Sequence, residues 1–203
     1  MKIITISREF GSGGRTIGKQ VAEMLGIQYY DKELVKEVAT QTGFQESFVE
    51  EQGEHAPAKN WLSYVLAING QNGNIMSAND FIWAIQRQVI LELAEKEPCV
   101  IVGRCADHIL RERGDCLNVF IHSSLEDRER RIVSLYGMSE KAPRKRLEEK
   151  DKKRRLFYKH HTGQEWGMSQ NYHLSLNSGR IGIEKCCEII ADLYRAGGQH
   201  AEK

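Results

Sequence analysis

Short apolar runs alternate along the chain with longer stretches in which apolar residues recur at helical spacing. The apolar runs predict five strands, at residues 3–7, 27–30, 99–102, 117–121 and 172–176. The helical spacing, for example of Ile17, Val21 and Met24, predicts helices at about residues 16–25, 32–41, 78–95, 126–159 and 183–194. Strands that alternate with helices are typical of a parallel sheet that is covered on both faces. The pattern therefore predicts an α/β fold with a five-stranded parallel sheet and three α/β/α layers.

Residues 44–74 fit this alternation less well. They contain an acidic stretch at residues 50–54, an apolar pattern at residues 61–68 that predicts a short helix, and a polar loop at residues 69–74. The length of 203 residues fits one compact domain, and no low-complexity linker divides the chain. We therefore expect a single domain.

A glycine-rich turn at residues 8–16 lies between the first predicted strand and the first predicted helix, and it is the most informative segment of the chain. Glycines allow backbone N–H groups to converge on an anion, and the start of a helix adds a partial positive charge. A strand, a glycine-rich turn and a helix start in this order therefore predict a site for a polyphosphate ligand. The alternative is a turn that merely connects a strand to a helix.

This turn departs from the standard phosphate-binding sequence G-x-x-x-x-G-K-[ST], in which the lysine contacts the β- and γ-phosphates and the hydroxyl contacts Mg²⁺. With Thr16 as the hydroxyl residue, Arg8 replaces the first glycine and Gly13 fits the second. The lysine position falls on Gly14 or Arg15, so the turn contains no lysine. Either Arg15 or Arg8 could supply the missing positive charge.

Residues that directly follow predicted strands are the next candidates, because ligands of parallel α/β sheets bind at the carboxyl ends of the strands. Asp31 follows the second strand and could hold Mg²⁺ through water or contact an acceptor, or it could cap the next helix at its N-terminus. Arg104 follows the most buried strand, where its guanidinium could bind phosphate with two hydrogen bonds or form a structural salt bridge. The remaining candidates at this edge are Gly103, His122, Ser123, Ser124, Asn177 and Ser178.

Basic residues are concentrated in the long predicted helical region. Arg128 and Arg131 lie near its start, and residues 140–155 contain nine Lys or Arg and four Asp or Glu. Most of these charges fit a solvated helix face with pairs of opposite charge. In a phosphoryl-transfer enzyme, arginines on a mobile lid can close over the transferred phosphate and neutralise its charge. The spacing of Asp151 and Arg154 predicts that both lie on one face of such a helix.

Composition limits the classes of function. The net charge of +1, with acidic residues inside the basic segment, argues against nucleic acid as a partner. The five cysteines form no C-x-x-C pair, which is typical of reduced thiols in an intracellular protein. No apolar run approaches ~18 residues and the N-terminus has no apolar signal region, so we expect a cytoplasmic protein without a membrane partner. The sequence does not predict an oligomeric state.

Several of these motifs resemble the bacterial cytidylate kinase-like family, a branch of the nucleoside monophosphate kinases. The sequence ITISREFGSGGR at residues 4–15 is the most specific match. The segment that ends at Asp31 resembles the one that leads to the family's monophosphate site, and Gly-Arg-Cys at residues 103–105 resembles its G-R-D element. Asp151 and Arg154 match the D-x-x-R part of its lid motif. The resemblance covers nearly the whole chain.

The resemblance implies a P-loop kinase-like fold, as a single domain of residues 1–203 with a helical acceptor-site insertion at about residues 32–78 and a helical lid at about residues 135–168. It implies that the γ-phosphoryl group of ATP is transferred to CMP or dCMP, with ATP and Mg²⁺ as cofactors. The activity would be that of a nucleotide kinase, whose partners are its nucleotide substrates.

The resemblance also implies roles for individual residues. The ATP phosphates would be held by Arg8, Gly11, Ser12, Gly13, Gly14, Arg15 and Thr16, and Thr16 would also contact Mg²⁺. The acceptor would be bound by Asp31 and Arg104, with Arg104 on its phosphate. The transferring group would be stabilised by Arg131 and Arg154, with Asp151 orienting the lid and Arg15 and Arg104 also acting in catalysis.

Three departures from the family pattern accompany the resemblance. The lysine of the turn is missing, and Cys105 stands where the G-R-D element has its aspartate, with Asp107 as a possible stand-in. Leu147 stands at the first arginine of the lid motif R-D-x-x-D-x-x-R, next to Arg146. These departures keep two alternatives open, a P-loop kinase for another small-molecule acceptor and a nucleotide-binding protein without catalysis.

Overall fold

The structure is a computed structural model, and it describes residues 1–52, 78–138 and 141–199. Five strands of the described residues form one sheet: β1 (Ile3–Arg8), β2 (Gln28–Tyr30), β3 (Cys99–Val102), β4 (Cys116–His122) and β5 (Leu174–Asn177). All strand pairs are parallel, and the order across the sheet is β2-β3-β1-β4-β5. The predicted five-stranded parallel sheet is confirmed.

Helices connect the strands and cover the sheet. The described residues form α1 (Gly14–Leu25), α2 (Lys32–Thr42), α3 (Glu46–Gln52), α4 (Ala78–Lys96), α5 (Ala106–Ile109), α6 (Leu125–Tyr136), α7 (Pro143–Thr162), α8 (Ser178–Ile181) and α9 (Ile183–Gln199). Because all strands run in one direction, their carboxyl ends meet at one edge, where α1, α2, α5, α6 and α8 begin.

The sheet separates two apolar cores. Alternate residues of a strand face opposite sides of a sheet, so Ile4 and Ile6 of β1 pack with α1 and α9, whereas Ile3 packs with α2 and α4. These three side chains are fully buried, and burial of one isoleucine side chain contributes about 1.5–3 kcal/mol. The three-layer α/β/α arrangement follows from this packing.

The start of α1 differs from the sequence-based expectation. The helix begins at Gly14, two residues before the expected start, because Gly13 adopts the left-handed conformation (φ 85°) at the N-cap position and the helix follows at once. The second glycine of the pair is therefore part of the helix and not of the turn.

The predicted long helical region at residues 126–159 consists of two helices. Gly137, with φ 69°, ends α6, and Pro143 occupies the first turn of α7, where its missing N–H group costs no hydrogen bond. The predicted short helix at residues 61–68 and the polar loop at residues 69–74 lie outside the described residues.

Candidate functional site

The glycine-rich loop between β1 and α1 packs directly against α6. Gly11 has φ 82°, and a Cβ atom at this residue would lie 2.9 Å from Cγ2 of Ile132 and 3.1 Å from the carbonyl oxygen of Arg128. Both the backbone conformation and the lack of space therefore require glycine here. The loop can lie this close to α6 because Gly11 has no side chain.

The loop and the first turn of α1 form one wall of an open cleft. The first N–H groups of a helix have no partners within the helix, and they carry its partial positive charge. Side chains from α6 and α7 close the cleft on the other side. Its lining consists of Arg8, Glu9, Phe10, Gly11, Gly13, Gly14, Arg15, Thr16, Arg131, Leu135, Tyr136 and Arg154.

Ser12 is the predicted phosphate-site residue that does not line this cleft. It is buried, and its hydroxyl donates a hydrogen bond of 2.9 Å to the carbonyl oxygen of Glu9. Its own carbonyl oxygen accepts a hydrogen bond of 2.5 Å from the hydroxyl of Ser178 at the start of α8. Ser12 therefore fixes the shape of the loop.

Arg131 of α6 reaches across the cleft to the start of α1. Its Nη2 atom donates a hydrogen bond of 2.8 Å to the hydroxyl of Thr16. No group of three or more His, Cys, Asp or Glu among the described residues is arranged to hold a metal ion. Mg²⁺ usually keeps several waters and binds through substrate phosphates with few protein ligands, so the Thr16 hydroxyl fits this mode of binding.

A buried ion pair ties α7 to the loop. Asp151 accepts a hydrogen bond of 2.8 Å from the backbone N–H of Phe10 and one of 2.5 Å from Nη1 of Arg128. The same Nη1 atom donates a hydrogen bond of 3.2 Å to the carbonyl oxygen of Phe10. The side chains of Arg128 and Asp151 are only 7% and 5% exposed. We call these three residues the loop clasp.

The loop clasp contains two residues that the sequence analysis did not assign a role in the site, Phe10 in the glycine-rich turn and Arg128 on α6. Arg128 lies three residues before Arg131 on α6, so the two arginines share a helix face. That spacing was the available signal. The sequence analysis placed Asp151 in the lid, and in the structure its carboxylate joins α7 to the loop.

Arg154 lies one turn beyond Asp151 on the same face of α7, as the spacing predicted. Its Nη1 atom donates a hydrogen bond of 3.0 Å to the carbonyl oxygen of Arg8. Its guanidinium carbon lies 5.8 Å from the ring centroid of Phe10, within the range of a cation–π contact. The side chain thus crosses from α7 to the end of β1.

A second cleft lies at the end of β3, next to the first. It is lined by Ser7, Arg8, Gly103, Arg104, Cys105, Arg154, Phe157, Tyr158 and Trp166. Arg8 and Arg154 line both clefts. We call the first one the loop cleft and this one the β3 cleft.

The turn after β3 is strained. Gly103, Arg104 and Cys105 have φ values of 78°, 60° and 54°, which is the left-handed region, and such a conformation costs a non-glycine residue about 1–3 kcal/mol. The side chain of Arg104 is buried, with Nη1 at 3.4 Å from both the carbonyl oxygen of Val49 and Oε1 of Gln86. Gln86 in turn donates to the carbonyl oxygen of Arg104 at 3.4 Å, so α3 and α4 hold this arginine in place.

Asp31 occupies the N-cap position of α2, but its side chain makes no capping hydrogen bond. Its two carboxylate oxygens face Arg15, at 2.9 Å from Nε and 3.3 Å from Nη2. The nearby Tyr29 hydroxyl has its pKa raised to about 12, chiefly by burial and also by Asp31, while the charges of Arg15 and Arg8 act in the opposite direction. The structure therefore does not support the alternative in which the Asp31 side chain caps α2.

Asp107 does not line the β3 cleft, so it does not replace the missing aspartate of the G-R-D element there. It is buried, and its carboxylate accepts hydrogen bonds of 3.2 Å from Ser7 and 2.7 Å from the hydroxyl of Tyr158. Burial raises the pKa of Asp107 to about 6, although these hydrogen bonds act against the rise. Asp107 thus joins β1 to α7 below the β3 cleft.

The cysteines are packing residues. Cys99, Cys105, Cys116, Cys186 and Cys187 are all buried and free. Burial raises the pKa of the Cys99 and Cys116 thiols to about 12, which keeps them protonated.

No helix among the described residues combines the length and the apolar composition needed to cross a bilayer.

The sheet order, the glycine loop ahead of α1 and the helices that close over it define a P-loop kinase fold. The chain is similar to an uncharacterized protein from Eubacterium ventriosum, with 26% identity and a TM-score of 0.72 over 96% of this chain and 99% of that chain. It shares its fold with a shikimate kinase from Acinetobacter baumannii, at 16% identity and a TM-score of 0.53 over 97% and 94% of the two chains. A gluconokinase from Sinorhizobium meliloti matches at 16% identity and a TM-score of 0.50, over 95% and 93%.

The chain belongs to the cytidylate kinase-like family, whose model matches residues 3–180. No curated protein matches it. Family and fold together identify a kinase-like protein and support a phosphotransferase.

Proposed function

We propose that this protein is an ATP-dependent nucleoside monophosphate kinase that transfers the γ-phosphoryl group of Mg·ATP to CMP or dCMP. One observation carries the proposal: the loop cleft, where α1 begins, adjoins the β3 cleft, and Arg154 lines both. Phosphoryl transfer needs a donor and an acceptor side by side, with positive charge where they meet. The family membership supports the nucleotide substrates.

On the donor side, backbone N–H groups from Gly11 to Thr16 bind the ATP phosphates in this proposal. The Thr16 hydroxyl would hold Mg²⁺, which neutralises negative charge on the phosphates when it is bound. To bind Mg²⁺, the Thr16 hydroxyl would give up its hydrogen bond with Arg131. The Arg131 guanidinium would then be available to the γ-phosphate. Arg154 approaches the same phosphoryl group from α7.

On the acceptor side, Arg104 binds the phosphate of the monophosphate, and Asp31 lies near its nucleoside. A phosphate oxygen of CMP attacks the γ-phosphorus of ATP, the bond to the bridging oxygen breaks, and ADP leaves. A phosphate monoester is largely ionised at pH 7, because its second pKa is about 6, so the attack needs no general base. Positioning and charge neutralisation suffice, and no covalent protein intermediate is required.

A second candidate is a kinase for another small-molecule acceptor, such as one that carries a hydroxyl group. The observation that favours it is the Asp31 carboxylate, which is directed at Arg15 instead of capping α2. A hydroxyl acceptor must lose a proton, and a carboxylate at the end of β2 could take it. The loss of the aspartate from the G-R-D element, where Cys105 stands, also favours an altered acceptor.

The test measures ADP production from Mg·ATP with CMP, dCMP, UMP and AMP as separate acceptors. Selective turnover with CMP or dCMP is the expected result. Turnover with none of the four would overturn the proposed acceptor, and saturable Mg·ATP binding in the same samples would then favour a different acceptor or a protein that only binds nucleotide.

A further inference from the structure

The position of the missing lysine can be assigned from the start of α1. Gly13 is the N-cap residue and Gly14 is the first residue of the helix. In G-x-x-x-x-G-K-[ST] the lysine directly follows the second glycine, at the start of the helix. With Gly13 as that glycine, the lysine position is Gly14 and the first-glycine position is Arg8, and Arg15 is then one extra residue before Thr16. The turn has thus exchanged a glycine and a cation between these two positions.

The side chain of Arg8 occupies the space that a side chain at position 14 would take. A Cβ atom built on Gly14 would lie 2.5 Å from Cβ and 2.9 Å from Cγ of Arg8, distances at which one of the two must move. A long side chain at one position therefore requires glycine at the other. The two changes in the turn compensate each other sterically.

The location of Arg8 fits a contact with the transferred group. Arg8 is 5% exposed and lines both the loop cleft and the β3 cleft. By contrast, the Arg15 side chain is 43% exposed and pairs with Asp31. Of the two arginines that could replace the lysine, Arg8 is the one that lies between the donor and acceptor sides.

We propose that Arg8 supplies from the end of β1 the cation that a lysine at position 14 supplies in the standard loop, and that its guanidinium contacts the phosphoryl group in transfer. This inference rests on the proposed kinase function. An arginine can bind two oxygens of a phosphate with its planar fork, whereas a lysine acts as a point charge. The exchange thus keeps the charge and changes its direction of approach.

The test compares three variants by calorimetric titration with Mg·ATP and by turnover. Arg8→Met keeps an unbranched side chain against Gly14 and removes the charge, and it should lower kcat/KM by about 10²-fold, as loss of a transition-state donor does. Gly14→Lys alone should also lose activity, because its side chain meets that of Arg8. The double variant Arg8→Gly with Gly14→Lys returns the first glycine and the lysine to their standard positions, with Arg15 between the lysine and Thr16. It should exceed Arg8→Met at least ten-fold in both affinity and kcat/KM.

Lys19→Ala is the matched control, since it removes one exposed positive charge from α1 outside both clefts, and it should behave as wild type. A double variant that unfolds at the wild-type temperature but is no more active than Arg8→Met would overturn the inference. So would wild-type affinity and turnover in Arg8→Met, while the kinase proposal would stand. Absence of Mg·ATP binding by the wild-type protein would overturn both.

Discussion

The two sides of the site are held in different ways. The loop cleft is fixed by the loop clasp, in which Phe10, Arg128 and Asp151 come from three distant segments and the charged side chains are almost fully buried. On the acceptor side, Asp31 pairs with Arg15, whose side chain is 43% exposed and also lines the loop cleft, and Arg104 makes longer hydrogen bonds to neutral groups.

One part of the site is therefore held by a buried ion pair, and the other by longer or more exposed contacts. Removal of one partner from a buried ion pair strongly lowers the free energy of unfolding, whereas exposed pairs contribute little to stability. We therefore expect changes in the loop clasp to affect the whole fold, and changes on the acceptor side to affect one substrate.

The largest expected effect follows from Asp151→Ala. The change removes the closer of the two carboxylates that pair with the buried Arg128, leaving Glu9 at 3.4 Å from Nε, and it removes the contact of α7 with the Phe10 N–H. The free energy of unfolding should fall by about 3–5 kcal/mol. Urea unfolding measures this loss. Asp192→Ala is the control, since its side chain is 76% exposed and pairs with Arg195, and it should change stability by less than about 0.5 kcal/mol. Equal effects of the two changes would show that the clasp does not hold the loop.

A pH dependence should follow from Asp107. Its pKa is raised from 3.8 to about 6 by burial, so between these values the folded protein keeps a proton that the unfolded chain has released. Stability from this group is therefore present below about pH 4 and is lost as the pH rises to about 6, by up to about 3 kcal/mol. Asp107→Asn should remove this loss. Urea unfolding of both proteins at several pH values from 4 to 7 measures the difference, and a constant difference would contradict the raised pKa.

Arg104→Ala tests the acceptor side directly. Hydrogen bonds to a charged group contribute about 1.5–3 kcal/mol, so kcat/KM for the acceptor should fall roughly 10- to 100-fold and KM for the acceptor should rise. The affinity for Mg·ATP should remain as in the wild type. Arg111→Ala serves as control, because Arg111 is 52% exposed and pairs with its neighbour Glu112. Unchanged kcat/KM in Arg104→Ala would remove this residue from the site.

The smallest effect is expected for Arg15→Ala. The Arg15 side chain is 43% exposed in its ion pair with Asp31, so solvent weakens the pair and the free energy of unfolding should change by less than about 1 kcal/mol. KM for the acceptor should rise a few-fold, since Asp31 loses the partner that orients it, while the affinity for Mg·ATP stays close to that of the wild type. A loss of ATP affinity as large as that of Arg8→Met would place Arg15 on the donor side.

The sequence predicted the elements that depend on local pattern. Apolar runs such as Cys99–Val102 predicted the buried strands, and helical spacing predicted that Asp151 and Arg154 share a face. The break between α6 and α7 also has a local signal in the sequence, namely Gly137 and Pro143. The sequence analysis nevertheless predicted one continuous helical region there.

Contacts between distant segments could not be predicted in this way. The pairing of Arg15 with Asp31 and the burial of Asp107 under Tyr158 depend on how the layers pack, and no spacing along the chain reports it. The sequence likewise does not show that a side chain at position 14 would collide with that of Arg8, which is a distance between two segments in the structure.

The most direct test of the central claim is ³¹P NMR of the wild-type protein with Mg·ATP and CMP or dCMP. ADP production alone does not separate transfer from hydrolysis, whereas the phosphorus spectrum shows where the γ-phosphoryl group goes. We predict that the γ signal of ATP declines as the β signal of CDP or dCDP rises by the same amount, without inorganic phosphate. An unchanged ATP spectrum, or release of inorganic phosphate alone, would contradict transfer across the two clefts.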